Sequence, residues 1–281
     1  MTSAVRSRLT APAGAAALEL RGAALHRAGR VLWEDLDLSV GRGEFITVLG
    51  PNGAGKTSLL RVLLGELPLT AGSATILGAP ITRGSTQLGY LPQRGSEFAG
   101  AGPAARDLVR SGADGDRWGL PFGSARRAVR DRVDALLAAV GATGYANEPA
   151  GVLSGGELQR VRIAQALAGA PAVLLCDEPL VALDLRHQTE VVRLIAERLR
   201  AAGGAVLFVT HDITPVMPYT DRVLYLAGGA YRLGPVNEVL TSESLTALYG
   251  APVEVIQAAG RLLVVPSVST GVPDPTSGVC R

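Results

Sequence analysis

Two glycine-rich segments of the sequence have residues and spacing suited to binding phosphate. The first, GPNGAGKT at 50–57, follows the apolar run EFITVL and precedes the apolar run SLLRVLLGEL. Between a strand and a helix, glycines let the backbone curl around phosphate oxygens, and the helix start offers N–H groups and a positive dipole end. The second segment is LSGGELQR at 153–160. One nucleotide requires only one such loop, so the second segment needs a separate explanation.

The second segment has an ordinary structural explanation as well. Ser154 is followed three residues later by Glu157, which fits a capping box in which the two side chains satisfy backbone N–H groups at a helix start. Spacing alone does not decide whether the segment that contains Gly155 and Gly156 is a simple helix cap or a phosphate site.

The first segment predicts its chemistry in more detail. Lys56 is expected to reach the outer phosphates, and Thr57 to place its hydroxyl on Mg²⁺, which prefers oxygen ligands. Lys56 is the only lysine among 27 Lys and Arg residues, and the planar fork of arginine is not equivalent to a compact ammonium group. The residues predicted to bind the nucleotide here are Gly50, Pro51, Asn52, Gly53, Ala54, Gly55, Lys56, Thr57 and Ser58.

Polar residues also follow other β-prone runs. AVLLCDEP at 172–179 delivers Asp177, a candidate for holding Mg²⁺ through water, and Glu178, a candidate for polarising the attacking water. His211 follows AVLFVT, and Gln93 ends GYLPQ. Open α/β sheets bind ligands at the carboxyl ends of their strands. Taken singly, each residue could instead lie in an ordinary turn, at a helix start or in solvent.

Short apolar runs alternate with helical stretches, which predicts an α/β fold with parallel strands. The runs from 172 and 205 are continuously apolar, so we expect central strands covered by helices on both faces. Helical spacing of Val129, Val133, Leu136, Leu137 and Val140 indicates a helical insert at about 94–152. We expect a disordered extension at 1–17, a main domain at 18–250, and a short C-terminal extension at 251–281 with a hairpin around Gly260 and a disordered tail.

Composition excludes several classes of function. The 27 basic and 25 acidic residues form no run of like charge, so we expect no nucleic-acid partner. Cys176 and Cys280 lack metal-ligand spacing, which favours neither a disulfide framework nor a zinc site. The apolar runs fall well short of the ~20 residues that span a bilayer.

Taken together, the motifs resemble those of the ATP-binding cassette (ABC) ATPases. GPNGAGKT is similar to Walker A, LPQ to the Q-loop, LSGGE to the signature, LLCDEP to Walker B, ALD to the D-loop and VTH to the switch histidine. Their order and spacing match that family from about 18 to 250. The resemblance implies a P-loop NTPase fold with a mixed, mainly parallel core sheet, an antiparallel β subdomain and a helical insert, and it implies binding of ATP and Mg²⁺.

The resemblance also implies roles for individual residues. Two cassettes would sandwich two ATP molecules head to tail, so that Ser154, Gly155, Gly156 and Glu157 contact the γ-phosphate held by the partner's Walker A loop. Glu178 would be the general base and His211 the γ-phosphate sensor, both catalytic together with Lys56. Thr57, Gln93 and Asp177 would hold Mg²⁺, with Gln93 linking the metal to a membrane partner. Asp184 of the D-loop would also belong to the nucleotide site.

Three positions depart from the family pattern. Glu157 stands where glutamine is usual and adds a negative charge near phosphate, and Val181 replaces the usual serine of the D-loop. The aromatic residue that usually stacks on adenine is missing from the matching region, ALHRAGRVLW. Arg27 or His26 could stack instead, and Trp33 is the alternative.

For biological function, the resemblance implies the ATPase subunit of a bacterial importer. Membrane-spanning permease subunits would dock on the insert at 94–152 and hold the chain at the cytoplasmic face of the plasma membrane, with a substrate-binding protein as an indirect partner. The tail GPVNEVLTSESLTALYG resembles that of manganese and zinc importers, which predicts a metal ion as substrate. Haem or siderophore-iron import, a soluble regulatory ATPase and a non-catalytic ATP-binding scaffold are the alternatives.

Overall fold

The computed structural model of the protein describes residues 16–93, 102–114, 124–258 and 261–266. The strands are β1 (Leu18–Arg27), β2 (Arg30–Val40), β3 (Phe45–Leu49), β4 (Ala71–Ile76), β5 (Ala79–Pro80), β6 (Leu88–Leu91), β7 (Val173–Asp177), β8 (Ala205–Val209), β9 (Arg222–Ala227), β10 (Ala230–Gly234), β11 (Val253–Ala258) and β12 (Arg261–Pro266). The α-helices are α1 (Lys56–Leu63), α2 (Ala105–Asp114), α3 (Ser124–Ala139), α4 (Gly155–Ala168), α5 (Leu185–Ala201), α6 (Val236–Val239) and α7 (Ser242–Tyr249).

The central sheet has the strand order β10-β9-β3-β8-β7-β6 among the described residues. All neighbouring strands run parallel except β9 and β10, which pair antiparallel. Every residue of β3, β7 and β8 is buried, because helices cover one face of the sheet, and α1 together with a second sheet covers the other. The predicted mixed, mainly parallel core sheet is confirmed, and β7 and β8 are interior strands as expected.

The direction of the strands positions the functional segments. Because β3, β6, β7 and β8 run parallel, their carboxyl ends lie at one edge of the sheet. The segments that leave these strands begin at Gly50, Pro92, Glu178 and Thr210. The polar residues predicted from the sequence therefore follow one sheet edge, although they lie up to about 160 residues apart in the chain.

A second, antiparallel sheet with the order β2-β1-β4-β5 packs on the core sheet. Its apolar side chains share one buried cluster with Ile46 and Val48 of β3 and with Leu59 and Leu60 of α1. The predicted extension at 1–17 needs one correction: Ala17 is buried, and its backbone N–H donates to the Val40 carbonyl at 2.8 Å. Ala17 therefore packs against this sheet directly before β1, whereas residues 1–15 lie outside the described part of the chain.

Helices α2 and α3 of the predicted insert pack on each other and on α4, which follows the insert in the chain. The α3 pattern is as expected, since Val133, Leu136, Leu137 and Val140 are buried in the main core. Residues 94–101 and 115–123 of this segment lie outside the described ranges. No helix within the described ranges is long and apolar enough to cross a bilayer.

The C-terminal segment continues the fold beyond α7. Strands β11 and β12 form the expected antiparallel hairpin, and Val253 is buried in the main core. The Thr246 hydroxyl of α7 donates to the Val253 carbonyl at 3.2 Å and accepts from its N–H at 3.0 Å. The predicted disordered tail falls on residues 267–281, outside the described part, as does Gly260 of the hairpin turn.

The close contact between α2 and α4 generates a stability prediction. A Cβ on Gly112 of α2 would lie 2.1 Å from the Gln165 carbonyl oxygen of α4, so the helices would have to separate. We expect Gly112→Ala to lower the free energy of unfolding by about 1–3 kcal/mol, despite the ~1 kcal/mol that alanine contributes in helix propensity. Urea denaturation measures the difference. The control is Gly144→Ala, where an added Cβ meets no atom within 4 Å; equal stability of the two variants would contradict the packing argument.

Candidate nucleotide site

The loop between β3 and α1 has positive φ at its three glycines, and Gly50 and Gly55 stand at its two ends. Gly50 has φ +140°, and a Cβ there would lie 2.1 Å from the Leu226 carbonyl oxygen. Gly55 has φ +92° and directly precedes α1. Both torsions lie where L-residues are strained. The two glycines therefore allow the chain to turn sharply from β3 into α1 and to leave the helix N–H groups available to a phosphate.

Lys56 lies inside this loop. Its side chain is buried, and its ammonium donates to the carbonyl oxygens of Gly50 at 2.7 Å and Pro51 at 3.0 Å. Burial lowers the pKa of Lys56, whereas the negative charges of Glu178 and Asp177 act in the opposite direction. The ammonium is thus held at the sheet edge by backbone carbonyls, in a position where the phosphates of a nucleotide would further stabilise its charge.

Thr57 and Asp177 are brought together from α1 and β7. The Thr57 hydroxyl donates to Asp177 Oδ1 at 3.3 Å. Asp177 is buried, and burial raises its pKa, partly offset by the hydrogen bond from Thr57 and the charge of Lys56. A hydroxyl and a buried carboxylate are hard oxygen donors of the kind that Mg²⁺ selects, and a cation would favour the ionised carboxylate. The two residues therefore fit a magnesium site.

Gln93 and His211, two further predicted residues, both contact the carboxylate of Glu178. Gln93 Nε2 donates to Glu178 Oε2 at 3.2 Å, and His211 Nδ1 lies 3.2 Å from the same oxygen. Glu178 has φ +46°, an uncommon torsion for a non-glycine residue. Its N–H donates to the Val209 carbonyl at 2.9 Å. The chain therefore bends as it leaves β7, and strain of this kind is typical of functional sites.

The second glycine-rich segment forms a complete capping box at the start of α4. The Ser154 side chain accepts from the Glu157 N–H at 3.4 Å, and the Glu157 carboxylate accepts from the Ser154 N–H at 2.9 Å. The Ser154 hydroxyl also donates to Glu157 Oε2 at 2.7 Å. These bonds lower the pKa of Glu157. Ser154 and Gly155 are exposed, and an added Cβ on Gly155 would meet no atom within 4 Å, so the space above this helix start is open.

Asp184 caps α5 and does not join the cluster around Glu178. Its carboxylate accepts from the His187 N–H at 3.0 Å and lies 2.7 Å from His187 Nδ1. Val181, three residues earlier, is 59% exposed. The D-loop residue therefore supports a helix start within its own chain, close to the signature segment: an added Cβ on Gly156 would lie 3.2 Å from the Ala182 carbonyl oxygen.

Two buried or half-buried glutamines, missed in the sequence, hold the segment between β7 and α5. Gln159 of α4 donates to the Pro179 carbonyl at 2.9 Å. Gln188 of α5 donates to the carbonyls of Leu180 and Leu183, each at 3.1 Å. In the sequence, the only sign of these two residues was a polar side chain within the helical pattern of apolar residues. These bonds fix the path of the loop that carries Glu178 and Asp184.

The three candidates for stacking on adenine differ in accessibility. Trp33 has no exposed surface, and its indole lies against the phosphate loop, 3.0 Å from where a Cβ of Gly55 would be. The alternative that placed Trp33 on adenine is therefore wrong, because its ring faces are enclosed by protein. His26 and Arg27 lie at the exposed end of β1, with His26 Nε2 2.9 Å from Glu34 Oε1. Both stay candidates for the base contact.

A glycine-rich loop leading into a helix at the carboxyl edge of a mainly parallel sheet, with its lysine and a nearby acidic strand end, defines a P-loop nucleotide-binding protein. The sequence model of the ABC transporter family matches residues 33–181. The chain belongs to this family, and it is an ATP-binding ATPase.

Relatives and a solved structure match over most of the chain. It is 38% identical to the hemin import ATP-binding protein HmuV of Streptomyces coelicolor, over 93% of this chain and 95% of the relative. It is 36% identical to the manganese transport system ATP-binding protein MntB of Bacillus subtilis, over 77% of this chain and 86% of the relative. The structure of cbiO1 from Clostridium perfringens, part of the ABC transporter complex cbiONQ, superposes with a TM-score of 0.69 at 26% identity, covering 83% and 94%.

The contact between Trp33 and the phosphate loop generates a prediction for nucleotide binding. A Cβ on Gly55 would be strained at φ +92° and would lie 3.0–3.1 Å from atoms of Trp33 and Leu32. On Gly53, with φ +79°, a Cβ would meet no atom within 4 Å. We expect Gly55→Ala to weaken ATP binding by roughly tenfold or more, and Gly53→Ala to weaken it less, because backbone strain alone costs about 1–2 kcal/mol.

Equilibrium binding of a fluorescent ATP analogue measures both affinities. A larger loss for Gly53→Ala than for Gly55→Ala would show that the contact with Trp33 does not shape the loop.

Proposed function

We propose that this chain is the ATP-hydrolysing subunit of an importer and acts as a head-to-tail pair of cassettes. The observation that supports the proposal is the difference in surroundings between the two glycine-rich helix starts. The start of α1 lies among Lys56, Asp177 and Glu178, whereas the exposed start of α4 hydrogen-bonds within its own segment. A phosphate at the second helix start therefore suits a nucleotide carried by another copy.

The residues around Glu178 are suited to hydrolysis. We infer that Thr57 and Asp177 hold Mg²⁺ together with Gln93, and that the ion neutralises charge on the phosphate oxygens. Glu178 takes a proton from water while the water oxygen bonds to the γ-phosphorus and the bond to the β–γ bridging oxygen breaks. Both hydrogen bonds to the Glu178 carboxylate within the described residues go to Oε2, which leaves Oε1 to accept that proton.

Three other groups position the reaction. Lys56 would neutralise the outer phosphates. His211 follows β8 with its Nδ1 3.2 Å from Glu178 Oε2 and would contact the γ-phosphate. Gln93 orients the Glu178 carboxylate through its amide N–H. Phosphoryl transfer depends mainly on positioning and charge neutralisation. A site that lacks the signature segment of a partner would therefore bind ATP but hydrolyse it slowly.

A cleft beside Gln93 is suited to a membrane partner. Its volume is about 620 Å³, which lies in the size range of binding clefts. Its walls come from β6, α2 and α4 and include Tyr90, Pro92, Leu108 and Arg162. Since Pro92 directly precedes Gln93, an inserted permease loop would act on the residue that holds Glu178. This arrangement would place the chain at the cytoplasmic face of the plasma membrane, with contact to a substrate-binding protein only through the permease.

For the substrate, we propose haem ahead of zinc or manganese. The hemin import relative matches a larger share of the chain than the manganese relative does, which supports haem over the metal ion predicted from the tail. A deletion strain tests the choice. Haem import predicts loss of growth on hemin as the iron source with normal uptake of labelled zinc and manganese, whereas loss of metal uptake alone would contradict it.

Co-purification of the tagged chain with a membrane-spanning protein tests the importer role.

The role of Glu178 predicts a separation of binding from turnover. Glu178→Gln keeps the size and hydrogen bonds of the side chain but removes the basic oxygen. We expect ATP affinity to stay within about threefold and kcat to fall by roughly 10²-fold or more, with an ATP-bound dimer accumulating. Sedimentation velocity and phosphate release measure the two effects, and normal turnover in this variant would exclude Glu178 as the base.

The role of the signature segment predicts that hydrolysis depends on the partner whereas ATP binding does not. In Ser154→Arg, a bulky side chain fills the open space above the start of α4. Ser154 is not part of the chain's own phosphate loop. We expect unchanged ATP binding by the monomer and a fall in kcat of at least about tenfold, since phosphate positioning across the dimer is lost. The control is Ser73→Arg, at an exposed position of β4. Normal hydrolysis by Ser154→Arg would contradict the role across the dimer.

A further inference from the structure

A chain of three polar side chains joins the signature helix to the D-loop. Arg160 of α4 places its Nη1 3.3 Å from His187 Nε2 of α5. On the other side of the ring, His187 Nδ1 lies 2.7 Å from Asp184 Oδ2. The Asp184 carboxylate caps α5 at the same time, because its Oδ1 accepts the His187 N–H at 3.0 Å. His187 is thus the link between the helix that begins at the signature segment and the loop that follows Glu178.

The hydrogen-bonding capacity of these groups defines the protonation of the ring. Arginine can only donate hydrogen bonds, so His187 Nε2 must accept from Arg160. The hydrogen of the neutral imidazole therefore lies on Nδ1 and is donated to Asp184 Oδ2. These bonds to His187 lower the pKa of Asp184, which keeps this carboxylate an acceptor. The geometry fits one state of His187, the neutral ring with its hydrogen on Nδ1.

The charged groups around His187 come from its own helix and from α4. Glu157 lies one turn before Arg160 on α4 and interacts with its charge. The Arg160 guanidinium lies 5.5 Å from the centre of the Tyr145 ring, which favours a cation there. On α5, Arg186 pairs with Glu190 at 3.2 Å. Arg160 is therefore held in place by the aromatic ring as well as by His187.

We propose that His187 is a positioning residue that ties the D-loop to the signature helix only while its ring is neutral. A proton added to Nε2 removes the acceptor of Arg160 and sets two cations against each other, so Arg160 and His187 separate. Helix α4 and the Asp184 end of the loop before α5 then lose this link, while the bond from Gln159 to the Pro179 carbonyl at the other end of the loop stays. The proposal rests on the two-cassette function, in which both segments act at the partner's nucleotide, and it predicts that hydrolysis falls as His187 is protonated.

The matched variant is His187→Gln. The glutamine carbonyl oxygen can accept from Arg160 while its amide N–H donates to Asp184, and the amide does not titrate. We expect the ratio of wild-type kcat to His187→Gln kcat to be near one in alkaline buffer and to fall severalfold as the pH is lowered, because only the wild-type side chain can gain a proton. His211 is present in both proteins, so any effect of its protonation cancels in the ratio.

Two further measurements complete the test. The KM for ATP should stay equal in the two proteins, since the link lies away from the chain's own phosphate loop, and His187→Leu should have a lowered kcat at all pH values. If His187→Gln fails to fold, ¹⁵N NMR of the wild-type ring decides: hydrogen on Nδ1 at about pH 8 supports the proposal, and hydrogen on Nε2 overturns it.

A ratio that stays constant with pH overturns the positioning role of His187. Failure of the two-cassette proposal has a different signature, because hydrolysis per chain would then stay constant on dilution in both proteins, whatever the ratio does.

Discussion

The site depends first on the enclosed positive charge of Lys56. Its ammonium is removed from water and compensated by the carbonyls of Gly50 and Pro51, with the charges of Glu178 and Asp177 close enough to oppose the lowering of its pKa by burial. An enclosed cation without such partners would be strongly unfavourable. The loop, the acidic end of β7 and the lysine therefore form one electrostatic unit, and bound phosphate would complete its compensation.

This unit requires the parallel sheet. Lys56, Asp177, Glu178, Gln93 and His211 come from segments that follow four different strands, and only a common direction of those strands brings the segments to one edge. The same arrangement leaves the start of α4 outside the cluster, with Ser154 and Gly155 exposed. The capping box explains why α4 starts at this point. The open space above Gly155 is the feature that would let a phosphate approach the start of α4.

The sequence was informative wherever local patterns determine structure. Continuous apolar runs predicted β7 and β8, glycine spacing predicted the phosphate loop, and Ser154 with Glu157 predicted the capping box. The sequence was uninformative where contacts join distant segments. The shared oxygen of Glu178, the enclosure of Trp33 beneath Gly55, and the link from Arg160 to Asp184 depend on how helices and sheets pack. The Trp33 alternative failed for this reason, since exposure is a tertiary property.

The central claim is that each ATP site is completed by the signature segment of a second copy, and mixing two inactive variants tests it most directly. Lys56→Ala lacks a working phosphate loop and Ser154→Arg lacks a working signature segment, but a mixed pair has one site with both intact. The account predicts that the mixture hydrolyses ATP at a rate that neither variant reaches alone at the same total concentration. A mixture whose rate equals only the sum of its two components, with both variants folded, would contradict the account.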